Sequence, residues 1–246
     1  MKKTIQKLTI ASLLASISLV ASAAELPFKS ADFGFEGETL LSSVSKDSLS
    51  KSGDVLYCRA DISVEGQAER ANCFAKSSSI QLVVDSEQAL QRLAFSPASV
   101  EGKNIPVRMS FRVAYTPVGD ATVVSLIPNL GTMQAQFGRD YVAPQERLDV
   151  SDWFERYSDN SWVGGQEFLG KGDMARVSAT IDQNGKPSRL QTVAAKRAHE
   201  RDADVVKNTI KHSRFIPGTA NGRVVPMQYM VAVHYEDRNE AYANAE

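Results

Sequence analysis

FSPASVEGKNIPVRMSFRVAY, running from Phe95 to Tyr115, returns near the end of the chain as FIPGTANGRVVPMQYMVAVHY, Phe215 to Tyr235. The two align without a gap at an offset of 120, matching Phe95 with Phe215, Pro97 with Pro217, Gly102 with Gly222, Pro106 with Pro226, Val113 with Val233 and Tyr115 with Tyr235. Upstream, GDVLYCRADISVEGQ (Gly53 to Gln67) matches GDMARVSATIDQNGK (Gly172 to Lys186) at an offset of 119, through Gly53/Gly172, Asp54/Asp173, Ala60/Ala179, Ile62/Ile181 and Gly66/Gly185. Two blocks in the same order at nearly the same spacing mark an internal duplication. The expected fold is α+β: two tandem small domains, 45–118 and 165–238, each an antiparallel sheet with a helix packed on one face. Around them lie a leader (1–23), an N-terminal segment (24–44), an aromatic connecting segment (119–164) and a tail (239–246).

Each copy reads as hairpin, helix, strand. Leu56, Cys58, Ala60, Ile62 and Val64 alternate with mostly polar residues, the period of a half-buried strand. Glu65-Gly66 in the first copy and Asn184-Gly185 in the second are hairpin turns. DSEQALQRLAF and RDADVVKNTIKHSRF follow as helices, with Asp85 or Ser86 and Asp202 as caps, and Pro97 and Pro217 force an extended exit. Ile105–Tyr115 and Val225–Tyr235 then alternate, one face apolar and the other, with Arg108, Ser110, Arg112 or Gln228 and His234, turned to solvent.

The two cysteines fit this drawing. A two-residue turn at 65–66 pairs positions whose numbers sum to 131, as those of Cys58 and Cys73 do. Facing residues of an antiparallel pair lie within disulfide reach, so a Cys58–Cys73 bond is expected. Val177 and Thr192 face each other by the same rule in the second copy.

The chain opens with MKKTIQK, a short apolar run from Leu8 to Val20, and Ala21-Ser22-Ala23. A positive start, a brief apolar stretch and a small-residue site are the pattern of a cleaved export signal. Removal of 1–23 takes away three lysines and no acid, leaving 25 basic against 29 acidic residues and a net charge of −4. That balance argues against nucleic-acid binding, and no further long apolar run suggests membrane insertion after cleavage. The expected compartment is the periplasm, which is also where a disulfide forms.

The residues Gly66, Phe95-Ser96-Pro97-Ala98, Gly102-Lys103 and Pro106, echoed by Gly172, Gly185, Arg214-Phe215, Pro217, Gly222-Arg223 and Pro226, resemble the C-terminal domain of the TonB family over about two thirds of the mature chain. The resemblance implies a small antiparallel sheet with helices on one face. It also implies pairing of a strand with a short peptide of an outer-membrane transporter. The chain departs from the transducer layout: it has two tandem copies, and 25–52 is Ser-rich with Pro27 as its one proline, so no stiff span follows the leader.

Chemistry-bearing motifs are missing. There is no G-x-S-x-G, H-E-x-x-H, P-loop or dinucleotide fingerprint. His199, His212 and His234 lack metal-ligand spacing, and Asp152, Glu155, Asp159 and Glu167 read as a solvated face. No catalytic residue, metal or cofactor is expected. The function expected is that of a non-enzymatic envelope interaction protein, whose partner is a periplasmic or outer-membrane protein or peptide. The alternatives are a membrane-anchored TonB-type energy transducer for outer-membrane transport, and an envelope hydrolase or its inhibitor. Candidate partner-binding residues are Trp153 and Trp162 in the aromatic segment, and Gln228, Met230, Ala232 and His234 on the last strand, whose outward positions carry fewer charges than Arg108 and Arg112.

Overall fold

The computed structural model describes residues 27–34, 36–42, 44, 49–75, 80–150, 162–164, 175–195 and 200–234. The fold is α+β. In the first half, hairpin β3 (Asp54–Ile62) and β4 (Ala68–Phe74) leads to helix α2 (Ile80–Gln91), then to short strands β5 (Phe95–Ser96), β6 (Ala98–Val100) and β7 (Lys103–Ile105), and to the long strand β8 (Val107–Val118). The second half repeats the order: hairpin β12 (Ala175–Ile181) and β13 (Pro187–Ala195), a helix here called α4 (Glu200–His212), then β14 (Phe215–Ile216), β15 (Thr219–Ala220), β16 (Arg223–Val224) and β17 (Met227–His234). Both helices begin earlier than their expected caps. Asp85, Ser86 and Asp202 lie inside them, and Ser86 Oγ donates to the Leu82 carbonyl while bonding the Tyr115 hydroxyl.

The duplication is visible in local geometry. Phe95 N–H donates to the Gly66 carbonyl at 2.8 Å, and Phe215 N–H to the Gly185 carbonyl at 3.0 Å. Both glycines have positive φ, and a Cβ on either would meet that Phe carbonyl oxygen at 2.0 or 1.9 Å. Only glycine lets the turn and the post-helix strand approach this closely. The helices bury matching faces. Leu82, Ala89 and Leu90 of α2 pack with Leu56, Cys58, Met109, Phe111 and Val113. Ala203, Val206 and Ile210 of α4 pack with Val177, Ala179, Ile181, Phe215 and Tyr229. A buried Leu or Ile contributes roughly 1.5–3 kcal/mol, so these faces fix the helices on their sheets.

Segments outside the two expected domains supply structure as well. β1 (Phe28–Lys29) pairs with β6, and β2 (Asp32–Phe33) with β5. Helix α1 (Gly37–Ser42) buries Leu41 in the first core. From the connecting segment, β9 (Ala121–Ile127) extends β8 over Arg112–Val118. One-turn helix α3 (Gln134–Phe137) follows, and β10 (Gln145–Arg147) then joins β8 to β14. The result is a six-stranded sheet of order β14-β10-β8-β3-β4 with β9 also on β8. A four-stranded sheet has order β11-β17-β12-β13, where β11 is Trp162–Gly164.

The duplication therefore reaches further N-terminal than its sequence signal. Lys29 faces Ser99 as Val142 faces Thr219, and Phe33 faces Phe95 as Glu146 faces Phe215. Gly34 N–H donates to the Ala94 carbonyl as Arg147 N–H donates to that of Arg214. Residues 28–34 and 141–147 are thus equivalent straps, at an offset of 113, each laid across the strand that follows its helix.

β8 is an inner strand. β3 flanks it on one side, and β10 and β9 on the other. Arg108 and Arg112, expected on a solvent face, do not guard an edge. Arg108 is buried, and Arg112 is bound through its guanidinium to the Asn129 carbonyl and side chain at 3.1 and 3.0 Å. The physical reason is the connecting segment, which brings Glu146 to Arg108 and the Asn129 carbonyl and side chain to Arg112.

Candidate interaction edge and the buried polar junction

Cys58 and Cys73 are bonded, directly opposite each other with Cα atoms 4.1 Å apart. Val177 and Thr192 face each other at the corresponding place. The turn is not a two-residue one. Ser63 N–H donates to the Gln67 carbonyl, enclosing a three-residue loop, and a bulge beside Asp61/Ile62 restores the register before Cys58 is reached.

Among the described residues, the largest concentration of buried charge lies where the halves meet. Arg108 Nε and Nη2 donate to the two carboxylate oxygens of Asp61 at 2.8 and 3.3 Å. Arg108 Nη1 stands 3.5 Å from Glu146 Oε2. Glu146, from β10, accepts from Ser213 Oγ at 3.0 Å and from the Tyr229 hydroxyl at 3.3 Å. It is 0% exposed. Arg59 adjoins this group, its pKa lowered to about 10 by burial and by Arg108, with Tyr229, Asp61 and Glu146 opposing. The Tyr229 phenol is pushed well above its ordinary range by burial first and then by the Glu146 charge. Two guanidinium groups facing two carboxylates make sense of such burial, because each charge has a neighbour of opposite sign. The cluster is closed to solvent, and its chemistry is to fasten: Asp61 and Arg108 belong to the first half, Ser213 and Tyr229 to the second, and Glu146 to the strap between them. Gln145 adds a second tie, its side-chain amide bonding both Ala31 N–H and Ala31 O at 2.8 Å.

The last strand is placed differently from β8. β12 pairs with its inner side along the whole of β12, from Ala175 opposite Val233 to Ile181 opposite Met227. On the outer side Trp162, Val163 and Gly164 face His234, Val233 and Ala232. Two of the expected binding residues, Trp162 and His234, are therefore brought opposite each other. The main chain of Ala232 and His234 meets a strand rather than a free edge. Over Met227–Met230, among the described residues, no strand pairs with the outer side. There the Gln228 N–H donates to Met133 Sδ at 3.3 Å. A thioether is a weak acceptor. Gln228 is exposed and Met230 half-buried.

Trp153, Phe154, Tyr157, Asp152, Glu155, Asp159, Glu167 and His199 lie outside the described residues, and His212 ends α4 as an exposed residue. Among the described residues no group of His, Cys, Asp or Glu is arranged to hold a metal, and no helix is long and apolar enough to cross a membrane. Sequence reasoning missed Glu146 and Met133. Neither sits in a motif, and each gains its role from a partner more than 35 residues away in sequence. Comparison with family models, with curated proteins and with solved structures finds no match to this chain.

Proposed function

We propose that this chain is an exported, non-enzymatic interaction protein with two TonB C-terminal-like units, which binds an extended segment of an envelope protein by strand addition. The observation that carries the reading is the outer side of β17 over Met227–Met230. A regular strand there has its Gln228 donor on a sulfur rather than on a neighbouring strand. An extended peptide pairs with such an edge through its main chain and gains specificity through alternate side chains. The Cys58–Cys73 bond supports an oxidising compartment, in keeping with the export pattern of residues 1–23.

In vivo crosslinking with affinity capture tests the reading. Met230 shares the outward parity of Gln228, so Met230→Pro removes an outward N–H and leaves the bonds to β12 in place. Capture of the envelope partner should be lost in a variant that still folds. Unchanged capture by a folded Met230→Pro protein would exclude this edge. Mass spectrometry of the purified protein should find its first residue near Ala24. An intact Met1 in the membrane fraction would favour an anchored transducer instead.

A further inference from the structure

Within the chain, one strand already docks on the equivalent edge. β10 lies antiparallel on β8 with Arg147 opposite Val107 and Glu146 opposite Arg108, and Leu148 N–H donates to the Pro106 carbonyl at 3.0 Å. Further along, β9 covers β8 from Arg112 onward. At an offset of 120 these positions become Pro226, Met227 and Gln228, then Ala232 onward. β11 fills the second stretch, as β9 does in the first half. The first stretch carries no strand among the described residues. In place of a strand carbonyl, the Gln228 N–H meets Met133 Sδ.

Met133 is held there by its own surroundings. It packs with Phe137 and Val225 around Tyr141, Ala220 and Met227, and its N–H donates to the Tyr141 hydroxyl at 3.2 Å. The methionine side chain is unbranched and adaptable, so it can swing from the edge without unmaking a strand pair.

We propose that Met227–Met230 is the seat of an antiparallel extended segment of a partner, uncharged at the residue opposite Gln228, and that Met133 is the built-in plug that this segment displaces. The proposal rests on the strand-addition reading above and adds the partner's chemistry. In the first half the docked strand carries a glutamate, Glu146, beside the Arg108 guanidinium, which Asp61 also holds. The equivalents of Arg108 and Asp61 are Gln228 and Thr180, which face each other across β17 and β12. Neither is charged. A carboxylate at that place would lose water without gaining a cation from either. A side-chain amide or hydroxyl would find the Gln228 amide. The bound segment's main-chain carbonyl replaces a sulfur with a full-strength acceptor for the Gln228 N–H.

The test is a nuclear magnetic resonance titration of the isotope-labelled mature protein with two synthetic peptides. One has the sequence of residues 143–150, and the other the same sequence with Glu146→Gln. The glutamine peptide should shift the Gln228 and Met230 amides and bind at least threefold tighter than the glutamate peptide. Met133→Ala should tighten it by threefold or more, and Met230→Pro should abolish it. Equal affinity for the two peptides, shifts confined to other strands, or no gain in Met133→Ala would overturn the proposal. Binding of neither peptide to either protein would overturn it too, while loss of envelope-partner capture in Met230→Pro would still uphold strand addition itself. Should Met133→Ala fail to fold, Met133→Leu keeps the volume without the acceptor. Hydrogen exchange at the Gln228 amide should then quicken at least tenfold, and an unchanged rate would refute the plug.

Discussion

Replacing Glu146 by Gln keeps the shape of the side chain and removes one negative charge from the junction. Arg108 and Arg59 then face Asp61 alone among the four charges that meet there. The amide cannot serve as acceptor to Ser213 and Tyr229 with both of its ends, and its NH2 turns one former acceptor position into a donor. Breaking a buried ion pair by removing one partner costs about 3–5 kcal/mol. Against a usual total of roughly 5–15 kcal/mol, that is a large fraction of the stability. Arg108→Gln errs in the other direction, leaving Asp61 and Glu146 with Arg59. The double variant Arg108→Gln/Glu146→Gln restores one positive and one negative charge. It should therefore lose less than the sum of the singles, by about 1–3 kcal/mol. Urea unfolding followed by circular dichroism measures all four proteins, with a common slope verifying that the unfolded states are comparable. A loss below about 1 kcal/mol in Glu146→Gln, or strict additivity in the double variant, would refute the junction as a coupled electrostatic unit.

Three further outcomes follow from the same geometry. Gly66→Ala and Gly185→Ala should each cost well over the ~1–2 kcal/mol of a left-handed residue, because the added Cβ runs into the Phe95 or Phe215 carbonyl; Gly102→Ala and Gly222→Ala, with positive φ but open space around them, should cost only that amount, all read by thermal unfolding. The Tyr115 phenol, buried and pushed up to about 12, binds its proton in the folded state after the unfolded chain has released it, so stability should be level to about pH 9.5 and then fall through pH 10–12, with Tyr229 acting in the same direction and Arg59 opposing it; Tyr115→Phe should flatten part of the fall by about 2–3 kcal/mol at pH 12, followed by alkaline unfolding curves. Reducing the Cys58–Cys73 bond, which closes a separation of 15 residues, should lower stability by about 3 kcal/mol, and Cys58→Ala/Cys73→Ala should match that loss and become insensitive to reductant.

The sequence carried the repeating unit in its apolar alternation and its glycines, since both answer to local requirements. Alternation places Leu56, Cys58 and Ala60 on one face wherever the strand lies. Gly66 and Gly185 are demanded by a carbonyl approaching from their own unit. A two-residue turn and the observed three-residue one lead to the same cysteine pairing, because a bulge in β4 compensates for the extra residue in the turn. The straps were illegible for a different reason. Residues 28–34 and 141–147 do the same work through main-chain N–H and C=O groups, and main-chain bonds do not constrain which side chain stands where. Apart from Phe28 and Tyr141, which are at least both aromatic, the two segments share almost nothing in sequence.

Whether a strand is inner or outer is equally invisible in its own residues. β8 and β17 alternate alike, and sequence alone treats either as a candidate edge. What separates them is supplied from elsewhere in the chain: Ala121–Ile127 and Gln145–Arg147 enclose β8, whereas Trp162–Gly164 reaches only the last three residues of β17. The charged residues follow this placement. Arg108 could be kept on β8 because Glu146 and Asp61 arrive to pair with it, and its counterpart Gln228 stands where, among the described residues, no strap arrives. A duplicated unit thus spends its first edge on holding the two halves together. The second edge, over Met227–Met230, carries no strand among the described residues and has its Gln228 N–H on a methionine sulfur, which is the ground for proposing that the same mode of pairing is offered there to another molecule.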